Sequence, residues 1–427
     1  MRYMSKPYIT MLGKAVQYVA RLRGGGSALP GLFVEKIDPH FIKNTLSQLP
    51  KGVVIVSGTN GKTTTTKIIV ELLESQGLKV FTNRTGSNFT RGVAAALLSE
   101  VDTKGRLDAD IAVLELDEAH AVHFVRAVPP RYSLLLNVMR DQLDRFGEID
   151  ATAKLLEKIA QHTTDAIVLN RDDPRIRAIA NVLTGQKVTY FGLNPKLKQH
   201  FPNDDELRST QLTSVKNLPE AVVTLEAFKA NEATFALGKK TITAPLHLSG
   251  IYNIFNAAAA IALVKIIIGD DLQLDVLIRR LAQIEPAFGR GEVLTINSQP
   301  LEIVLVKNPS GFRLSLKSFS PIGYSTMIAI NDHYADGRDM SWLWDVDFDS
   351  LQPTGVAMVA GIRAYDMALR LQYDEVPITQ VSPELSQALR TFLSLEASKP
   401  KRIYCTYTAM LALRRELSKI TSVEHVL

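Results

Sequence analysis

Residues 53–67, VVIVSGTNGKTTTTK, decide the fold. The apolar, β-branched run Val53–Val56 ends at Gly58, and the helix-compatible stretch Thr63–Glu74 follows. The order strand, tight loop, helix predicts a phosphate-binding loop, because the free backbone N–H groups at a helix N-terminus attract anions. The predicted loop consists of Gly58, Thr59, Asn60, Gly61, Lys62, Thr63 and Thr64.

The spacing within this loop is unusual. The generic pattern G-x-x-x-x-G-K-[ST] would require glycine where the chain has Val56. Lys62 and Thr63 are still placed to reach phosphate oxygens and Mg²⁺. An ordinary glycine turn in a βα unit stays open as an alternative to a nucleoside triphosphate site.

Strand-like runs alternate with helical ones along the chain: VVIVS, KVFTN, IAVLEL, YSLLLNV and AIVLN. This alternation predicts an α/β fold with a parallel, doubly wound sheet. Residues 190–246 lose the rhythm, and VTLEAF and ATFALG predict a small β insertion there. A helix is expected over Asn253–Ile268. A separate α/β unit follows, with strands in LEIVLVKNP, TMIAIND and GVAMVAGIR.

These patterns predict three parts of the chain. Residues 1–50 form an N-terminal helical segment that packs on the next domain, residues 51–293 form the phosphate-loop domain, and residues 294–427 form a C-terminal α/β domain. The N-terminal segment reads as an amphipathic helix with one apolar face, made of Ile9, Leu12, Val16 and Val19. Its packing on the chain itself is favoured over docking on a membrane surface.

Composition limits the classes of function. A chain of 427 residues with 46% hydrophobic and 22% charged residues is typical of a globular protein with sizeable cores. The net charge of +5 comes from interspersed basic and acidic residues. It therefore gives little support to a P-loop ATPase acting on nucleic acid, which would need a basic stripe. The single cysteine, Cys405, excludes a disulfide framework and fits the cytosol. No stretch is predicted to supply the roughly 20 apolar residues of a membrane span.

Acidic and amide side chains follow successive strands. Glu115, in AVLELDEAH, is flanked by apolar residues, and a buried charge there would be costly without a function, so we predict that it serves a metal. Asp117 and Glu118 are interpreted as caps of the following helix. The next two strand ends carry Asn137, Asp141, Asp144, Asn170, Asp172 and Asp173. Each alone is typical of a turn or a cap, but together with the loop they outline a nucleotide site.

The segments SGTNGKTTT, LEL, RDQLDRFGE, LNRDDP, GIYNIFNAAAA and FGRGE resemble, in this order, the central ATPase domain of the Mur ligases and folylpolyglutamate synthases. The shortened loop is the form found in that family. The C-terminal segments KNPSGF, NDHYADGRDMSWLWDVDF, GIRAYDMALRL and YTAMLALRREL resemble the MurT family, the synthetase subunits of lipid II isoglutaminyl synthase. The resemblance covers nearly the whole chain, including LPGLFVEKID.

The resemblance implies ATP-dependent amidation of the D-glutamate α-carboxyl of lipid II through an acyl phosphate. The product is D-isoglutamine, made for peptidoglycan in the cytoplasm at the inner face of the membrane. By resemblance Lys62 binds the β- and γ-phosphates, and Thr63 and Glu115 bind Mg²⁺. The remaining nucleotide contacts implied are Asn170 and Asn253 at the base, Arg290 at the γ-phosphate, Asp173, and Asp332 on domain closure. A ligase that adds an amino acid to a carboxylate would share these residues and is the alternative.

The resemblance also implies a second subunit. Cys405 lies in the alternating strand RIYCTYT without a glycine elbow and is predicted to be a core residue. Ammonia would come from GatD, a glutamine amidotransferase subunit in a heterodimer, which supplies the cysteine and histidine of a glutaminase. Asp339 would orient that histidine from this chain. The alternative for Asp339 is a loop ion pair with Arg338.

The chain departs from the family pattern in three places. Residues 190–246 lack the four cysteines of a zinc ribbon, so no zinc site is predicted. Gln142 stands where amino-acid-adding ligases have a metal-binding histidine. Lys154 lies near the position of a carbamylated lysine, although a solvent-facing helix lysine is an equal alternative. His120 and His123 are interpreted as an exposed polar face, and Trp342 and Trp344 as packing or interface residues.

Overall fold

The computed structural model describes residues 13, 14, 16, 29–83, 89–140, 149–208, 217–229, 232–247, 250–285, 290–296 and 298–421. Most of the predicted N-terminal amphipathic helix, including Ile9, Leu12 and Val19, therefore lies outside the described residues. Two short helices are described in the remainder of residues 1–50. They are α1 (Leu29–Ile37) and α2 (Phe41–Leu46).

The first sheet has nine strands in the order β2-β3-β1-β4-β5-β6-β7-β8-β9. Its strands are β1 (Val53–Ser57), β2 (Val80–Thr82), β3 (Ile111–Glu115), β4 (Tyr132–Leu135), β5 (Ala166–Asn170), β6 (Lys187–Leu193), β7 (Val223–Lys229), β8 (Glu232–Leu237) and β9 (Lys240–Pro245). Pairing is parallel from β2 to β7 and antiparallel from β7 to β9. The carboxyl ends of the parallel strands thus lie along one edge, where α/β proteins bind ligands.

Helices cover both faces of this sheet. They are α3 (Lys62–Ser75), α4 (Thr90–Glu100), α5 (Glu118–Ala127), α6 (Ile149–Gln161), α7 (Pro174–Ala178), α8 (Asp204–Arg208), α9 (Ile251–Ile268) and α10 (Leu274–Leu281). One buried cluster joins the sheet to α3, α9 and α10, and a second joins its other face to α1, α2, α4, α5 and α6. The predicted doubly wound sheet is confirmed.

The second sheet has six strands in the order β10-β11-β15-β12-β13-β14. They are β10 (Arg290–Ile296), β11 (Gln299–Leu305), β12 (Ser325–Ala329), β13 (Val356–Ala360), β14 (Ile378–Ser382) and β15 (Lys401–Cys405). Among the described strands of this sheet, only the β10–β11 pair is antiparallel. Its helices are α11 (Pro309–Ser318), α12 (Ala364–Tyr373), α13 (Leu385–Ser394) and α14 (Tyr407–Leu417). Helices α11 and α12 pack on one face, and α13 and α14 on the other.

The predicted β insertion is more closely joined to the sheet than the sequence indicates. Its predicted hairpin is confirmed as β7 and β8. However, β7 pairs directly with β6, so the inserted strands extend the main sheet at its edge. At the other predicted boundary, β10 runs across residues 293 and 294 and belongs to the second sheet. The exact domain limits stay a prediction.

Helix α9 is the exception to the predicted lack of long apolar segments. The stretch Ile251–Asp271 is long and apolar enough to cross a membrane, as judged by length and composition alone. Eleven side chains of α9 are buried against α3 and strands of the first sheet. A helix that is apolar on all sides is typical of a domain core, and this packing accounts for the composition of α9.

Candidate active site

The phosphate loop connects β1 to α3 at the carboxyl edge of the first sheet. Gly58 and Gly61 have φ values of +136° and +88°, which favour glycine. A Cβ atom on Gly61 would also lie 2.6 Å from Asn256 Oδ1. The Asn137 side chain fixes the loop from the end of β4: its Oδ1 accepts from the Asn60 N–H at 2.9 Å, and its Nδ2 donates to the Asn60 carbonyl at 2.9 Å. The loop is therefore held in shape by its own chain.

Lys62 is the first residue of α3 and is buried, with 6% of its surface exposed. Its Nζ donates to the Gly58 carbonyl at 2.6 Å and lies 3.3 Å from Glu118 Oε1. Glu118 is itself only 2% exposed. The prediction that Asp117 and Glu118 cap α5 is wrong in its details. Asp117 occupies the N-cap position without a side-chain capping bond, and the carboxylate of Glu118 is directed at Lys62.

A second buried carboxylate lies beside the loop. Glu115 Oε1 accepts a hydrogen bond from Thr63 Oγ1 at 2.9 Å. Asn83 holds the end of β3 through two bonds to the Glu115 backbone, of 2.8 and 3.0 Å. A hydroxyl and a carboxylate at the end of a phosphate loop are the oxygen ligands that Mg²⁺ takes together with phosphate and water. The two residues predicted to serve the metal are thus brought together.

Within the described ranges, no group of three or more His, Cys, Asp or Glu is arranged to hold a metal ion. A magnesium site of one carboxylate and one hydroxyl needs no such group, because this ion usually keeps several waters. The lack of a zinc site stays a prediction.

Asn170 and Asp173 lie at the end of β5 and mainly organise the backbone. Asn170 Nδ2 donates to the Leu136 carbonyl at 2.9 Å. Asp173 Oδ1 accepts from the N–H groups of Arg175 and Ile176 as the N-cap of α7, and its Oδ2 accepts from the Val138 N–H at 2.8 Å. Burial raises the pKa of Asp173. The capping interpretation is confirmed for Asp173, and both residues also line the cleft described next.

A narrow cleft, open to solvent, lies beside the loop. Its lining includes Asn60, Gly61 and Asn256 together with four aromatic residues, Phe191, Phe201, Tyr252 and Phe255. Asn256 lies one helical turn beyond Asn253, whose Oδ1 accepts from Asn256 Nδ2 at 3.3 Å. The residue of α9 at the loop is therefore Asn256, and a nucleotide contact by Asn253 stays a prediction.

The nucleotide roles predicted for the remaining positions are not tested by contacts. Arg290 begins β10, but its side chain lies outside the described residues, as do Asp141, Gln142 and Asp144. Asp332, just beyond β12, accepts from Arg363 Nε at 2.8 Å.

The C-terminal sheet meets the loop through α11. Asn308 caps α11 by accepting from the Gly311 N–H, and its Nδ2 lies 3.3 Å from Asn60 Oδ1. Ser310 Oγ lies 3.1 Å from the Arg140 carbonyl. These contacts place the first turn of α11, which begins within KNPSGF, against the phosphate loop.

Asp339 lies in the long loop after β12. The first part of this loop is held by hydrogen bonds to the start of α14. Asn331 binds the Thr408 hydroxyl at 3.1 Å, and buried Asp336 accepts from the Thr408 N–H at 2.7 Å. Asp339 Oδ1 accepts from the Ser341 N–H at 2.9 Å, and hydrogen bonds from Ser341 lower the pKa of Asp339. Among the ion pairs of the described chain, none joins Asp339 to Arg338. The carboxylate is ionised at neutral pH and partly exposed.

The remaining interpretations concern the cysteine, three polar helix residues and the two tryptophans. Cys405 is fully buried, and burial raises the pKa of its thiol, so it is confirmed as a core residue. His120, His123 and Lys154 are exposed, as expected for polar helix faces. Trp342 is buried, whereas Trp344 is half exposed.

Sequence reasoning missed the roles of Asn83, Glu118, Asn256 and Asn308. Two of these missed residues carried a usable signal. Asn83 ends a strand-like run, as Asn137 and Asn170 do, and Asn308 precedes a proline in the typical pattern of a capped helix.

The phosphate loop, the buried carboxylates and the parallel sheet are arranged as in nucleotide-binding α/β enzymes, and the comparisons identify the class as the Mur ligases. The profile described as "Mur ligase middle domain" matches residues 56–264, and the one described as "MurT ligase C-terminal" matches residues 305–410. Solved structures agree on the fold. MurF from Acinetobacter baumannii has a TM-score of 0.69 at 16% identity, covering 92% of this chain and 80% of that one. FolC from E. coli has a TM-score of 0.62 at 15% identity, covering 89% and 92%.

Comparison with curated relatives identifies the family within the Mur ligases. The chain is 30% identical, over 96% of both chains, to the "Lipid II isoglutaminyl synthase (glutamine-hydrolyzing) subunit MurT" of Streptococcus pneumoniae. It is 27% identical to the subunit of the same name from Staphylococcus aureus strain COL, over 86% of this chain and 87% of that one. The chain belongs to the MurT family. It is a ligase of peptidoglycan synthesis, and its fold is one that binds ATP.

Proposed function

We propose that this chain is the synthetase subunit that amidates the α-carboxyl of D-glutamate in lipid II, giving D-isoglutamine. The observation that carries the proposal is the end-to-end similarity to MurT subunits, which includes the C-terminal region around Asp339. The enzyme acts in the cytoplasm at the inner face of the membrane, where lipid II is made.

In this proposal the phosphate loop binds ATP. Lys62 moves from Glu118 to the β- and γ-phosphates, a short shift because its Nζ already lies at the loop carbonyl of Gly58. Thr63 and Glu115 hold Mg²⁺, which when bound neutralises charge on the transferring phosphate. Asn170 and Asn253 contact the base, and Asp173 also serves the nucleotide. The aromatic cleft, which Asn170 and Asp173 line, offers apolar walls for a purine. Arg290 contacts the γ-phosphate. Asp332 joins the nucleotide site when the domains close.

Two displacements give the product. A carboxylate oxygen of D-glutamate attacks the γ-phosphorus of ATP, the bond to the β-phosphate oxygen breaks, and ADP leaves. Ammonia then attacks the carbonyl carbon of the acyl phosphate, inorganic phosphate leaves, and the nitrogen loses a proton to give the amide. The protein contributes position and positive charge, which are the main terms in phosphoryl transfer.

Ammonia is supplied by a GatD-type glutamine amidotransferase subunit in a heterodimer. Cys405 is unsuitable as the glutaminase nucleophile, because burial raises the pKa of its thiol and leaves it inaccessible. Asp339 has what the partner requires, an ionised and partly exposed carboxylate, and it orients the partner's histidine.

Oxygen tracing tests the acyl phosphate. Lipid II labelled with ¹⁸O in the α-carboxylate is incubated with the chain, ATP, Mg²⁺ and ammonium, and inorganic phosphate is analysed by mass spectrometry. We expect one labelled oxygen in the phosphate for each amide formed. Amide formation with unlabelled phosphate would contradict the mechanism. Labelled phosphate formed only when an amino acid replaces ammonium would favour the amino-acid-adding ligase.

A further inference from the structure

The ammonium group of Lys62 lies in a buried site formed by two other parts of the chain. Its Nζ donates to the Gly58 carbonyl at 2.6 Å and lies 3.3 Å from each carboxylate oxygen of Glu118. Lys62 is 6% exposed and Glu118 is 2% exposed. We call the Gly58 carbonyl and the Glu118 carboxylate together the cation pocket. This pocket holds one organic ammonium ion by three contacts between nitrogen and oxygen.

The cation pocket is held in shape by groups other than Lys62. The buried Ser57 hydroxyl donates to the Leu116 carbonyl at 3.1 Å, which ties the end of β1, just before Gly58, to the connection that leads into α5. Glu118 is the first residue of α5, where the positive end of the helix dipole stabilises a carboxylate. The two oxygen-bearing sides of the pocket therefore stay together when the Lys62 side chain moves.

The chemistry of the cation pocket suits a nitrogen cation better than a metal ion. Its distances of 2.6 and 3.3 Å are in the range of hydrogen bonds from an ammonium group to oxygen. Mg²⁺ takes about six oxygen ligands at about 2.1 Å. The pocket offers one carboxylate and one carbonyl, and the described residues contain no group of three or more His, Cys, Asp or Glu that could hold a metal. A single carboxylate balances the single charge of an ammonium ion.

ATP binding changes the content of this pocket. In the proposed function Lys62 moves to the β- and γ-phosphates, and its positive charge leaves Glu118. A buried carboxylate without a counter-ion is costly, so Glu118 then favours uptake of another cation or of a proton. The shift of Lys62 is short, and the pocket therefore lies next to the γ-phosphate that Lys62 binds. It also lies next to the acyl phosphate that this phosphate forms.

We propose that the cation pocket binds the substrate ammonium ion once ATP has withdrawn Lys62, and that Glu118 is the catalytic base that removes its proton. The inference rests on the proposed function, because it requires the move of Lys62 to the phosphates. Ammonium has no lone pair and cannot attack a carbonyl carbon. Transfer of one proton to the Glu118 carboxylate leaves ammonia, which is a nucleophile, beside the acyl phosphate.

The atoms of this step balance. The nitrogen lone pair forms a bond to the carbonyl carbon, the bond from that carbon to the phosphate oxygen breaks, and a second proton passes from nitrogen to the departing phosphate. The products are the amide, hydrogen phosphate and protonated Glu118, which returns its proton to water when the products leave. Before ATP binds, Lys62 fills the same pocket and keeps ammonium out. ATP is therefore expected to bind before ammonium.

Two nucleophiles of different charge test the cation pocket. The full-length chain and its variant Glu118→Gln are incubated with lipid II, Mg²⁺, saturating ATP and either ammonium or hydroxylamine. Hydroxylamine is uncharged at neutral pH and attacks an acyl phosphate without prior loss of a proton, giving a hydroxamate. Mass spectrometry measures amide and hydroxamate formation over a range of nucleophile concentrations. Asp117→Asn is the matched control, because this neighbouring carboxylate makes no capping bond. Glu118→Asp, which keeps the charge on a shorter side chain, is the second variant if Glu118→Gln does not fold.

We expect Glu118→Gln to lower kcat/KM for ammonium about 100-fold, the usual size of general-base catalysis, and to leave hydroxamate formation near the wild-type rate. Glu118→Asp should show a smaller loss that is again confined to ammonium. Equal losses with both nucleophiles would show that Glu118 acts only through Lys62, and unchanged use of ammonium would show that it has no part in the step. Either result would overturn the ammonium site and leave the proposed function standing. A wild-type chain that forms neither amide nor hydroxamate would contradict the proposed function itself.

Discussion

The phosphate loop and the Asp339 loop both follow a strand at the carboxyl edge of a parallel sheet, but they differ in how they are completed. In the phosphate loop, Lys62 and Glu118 are buried and paired with each other. In the Asp339 loop, the carboxylate is partly exposed, its hydrogen bonds come from Ser341, and the exposed aromatic residues Tyr334 and Trp344 lie five positions before and after it.

This difference indicates which of the two proposed reactions, ATP-dependent amidation or glutamine hydrolysis, the chain performs by itself. Paired and buried charges keep the loop in shape before nucleotide binds, because unpaired ones would be costly. An ionised carboxylate that lies at the surface beside apolar side chains is suited to a site that two proteins share. The comparison predicts that damage to the first loop stops all activity and that damage to the second stops only the use of glutamine.

The largest effect is expected from Lys62→Ala. Removal of the only loop lysine should lower both ammonia-driven and glutamine-driven amidation by about 1,000-fold, because the charge moved onto the γ-phosphate loses its partner. Phosphate release and product mass measure the two rates. Lys67→Ala, on the same helix but paired with Glu71, is the control and should stay active. Retained ATP turnover in Lys62→Ala would show that the phosphate loop is not the site of ATP turnover.

Asp339→Asn is expected to separate the two activities. Glutamine-driven amidation should fall about 100-fold, because an amide cannot stabilise the partner's imidazolium, while ammonia-driven amidation persists. The ratio of the two rates, with the partner present, is the measurement. Asp349→Asn, an exposed carboxylate ten positions further along the same connection, provides the control. If both activities survived in Asp339→Asn, the shared-site account of this loop would be wrong.

Glu118→Gln tests how strongly the first loop depends on its own pairing. The change removes the Glu118 carboxylate from the buried Lys62 ammonium, and we expect the nucleotide-free protein to lose about 3 kcal/mol of unfolding free energy. Saturating ATP should restore part of this loss, since the phosphates then pair with Lys62. Calorimetric unfolding with and without ATP measures both effects. The neighbouring Asp117→Asn, which removes no capping bond, should behave like wild type.

The smallest effect is expected from Cys405→Ala. The change leaves a small cavity in the core and should cost about 1 kcal/mol of stability. Both amidation rates should stay at the wild-type level, because the thiol is buried and takes no part in chemistry. A selective loss of glutamine-driven activity would assign the nucleophile to this chain and remove the need for a partner.

Most strands and the loop were predictable because buried parallel strands are continuous apolar runs, which end where the chain must turn. The run VVIVS is strand Val53–Ser57, and AIVLN is strand Ala166–Asn170. The attachment of residues 223–245 to the main sheet was not predictable, since the pairing of β6 with β7 is non-local. Sequence period alone also could not choose between Asn253 and Asn256, which lie one turn apart on α9.

The site was harder to predict where two distant segments meet. From its local sequence, Glu118 is an acidic residue in the first turn of a helix, where it would stabilise the helix N-terminus. In the structure its carboxylate pairs instead with Lys62, which lies 56 positions earlier. The two tryptophans near Asp339 were expected to pack or to form an interface. The structure divides these roles between them, because Trp342 faces the core and Trp344 faces the solvent.

Lipid II mass after incubation with this chain, ATP, Mg²⁺ and ammonium, without glutamine or partner, tests the central claim most directly. We predict a loss of about one mass unit, the replacement of OH by NH₂, which depends on ATP and is absent from Lys62→Ala. An unchanged mass, with ATP hydrolysed only when an amino acid is supplied, would contradict amidation and identify an amino-acid-adding ligase.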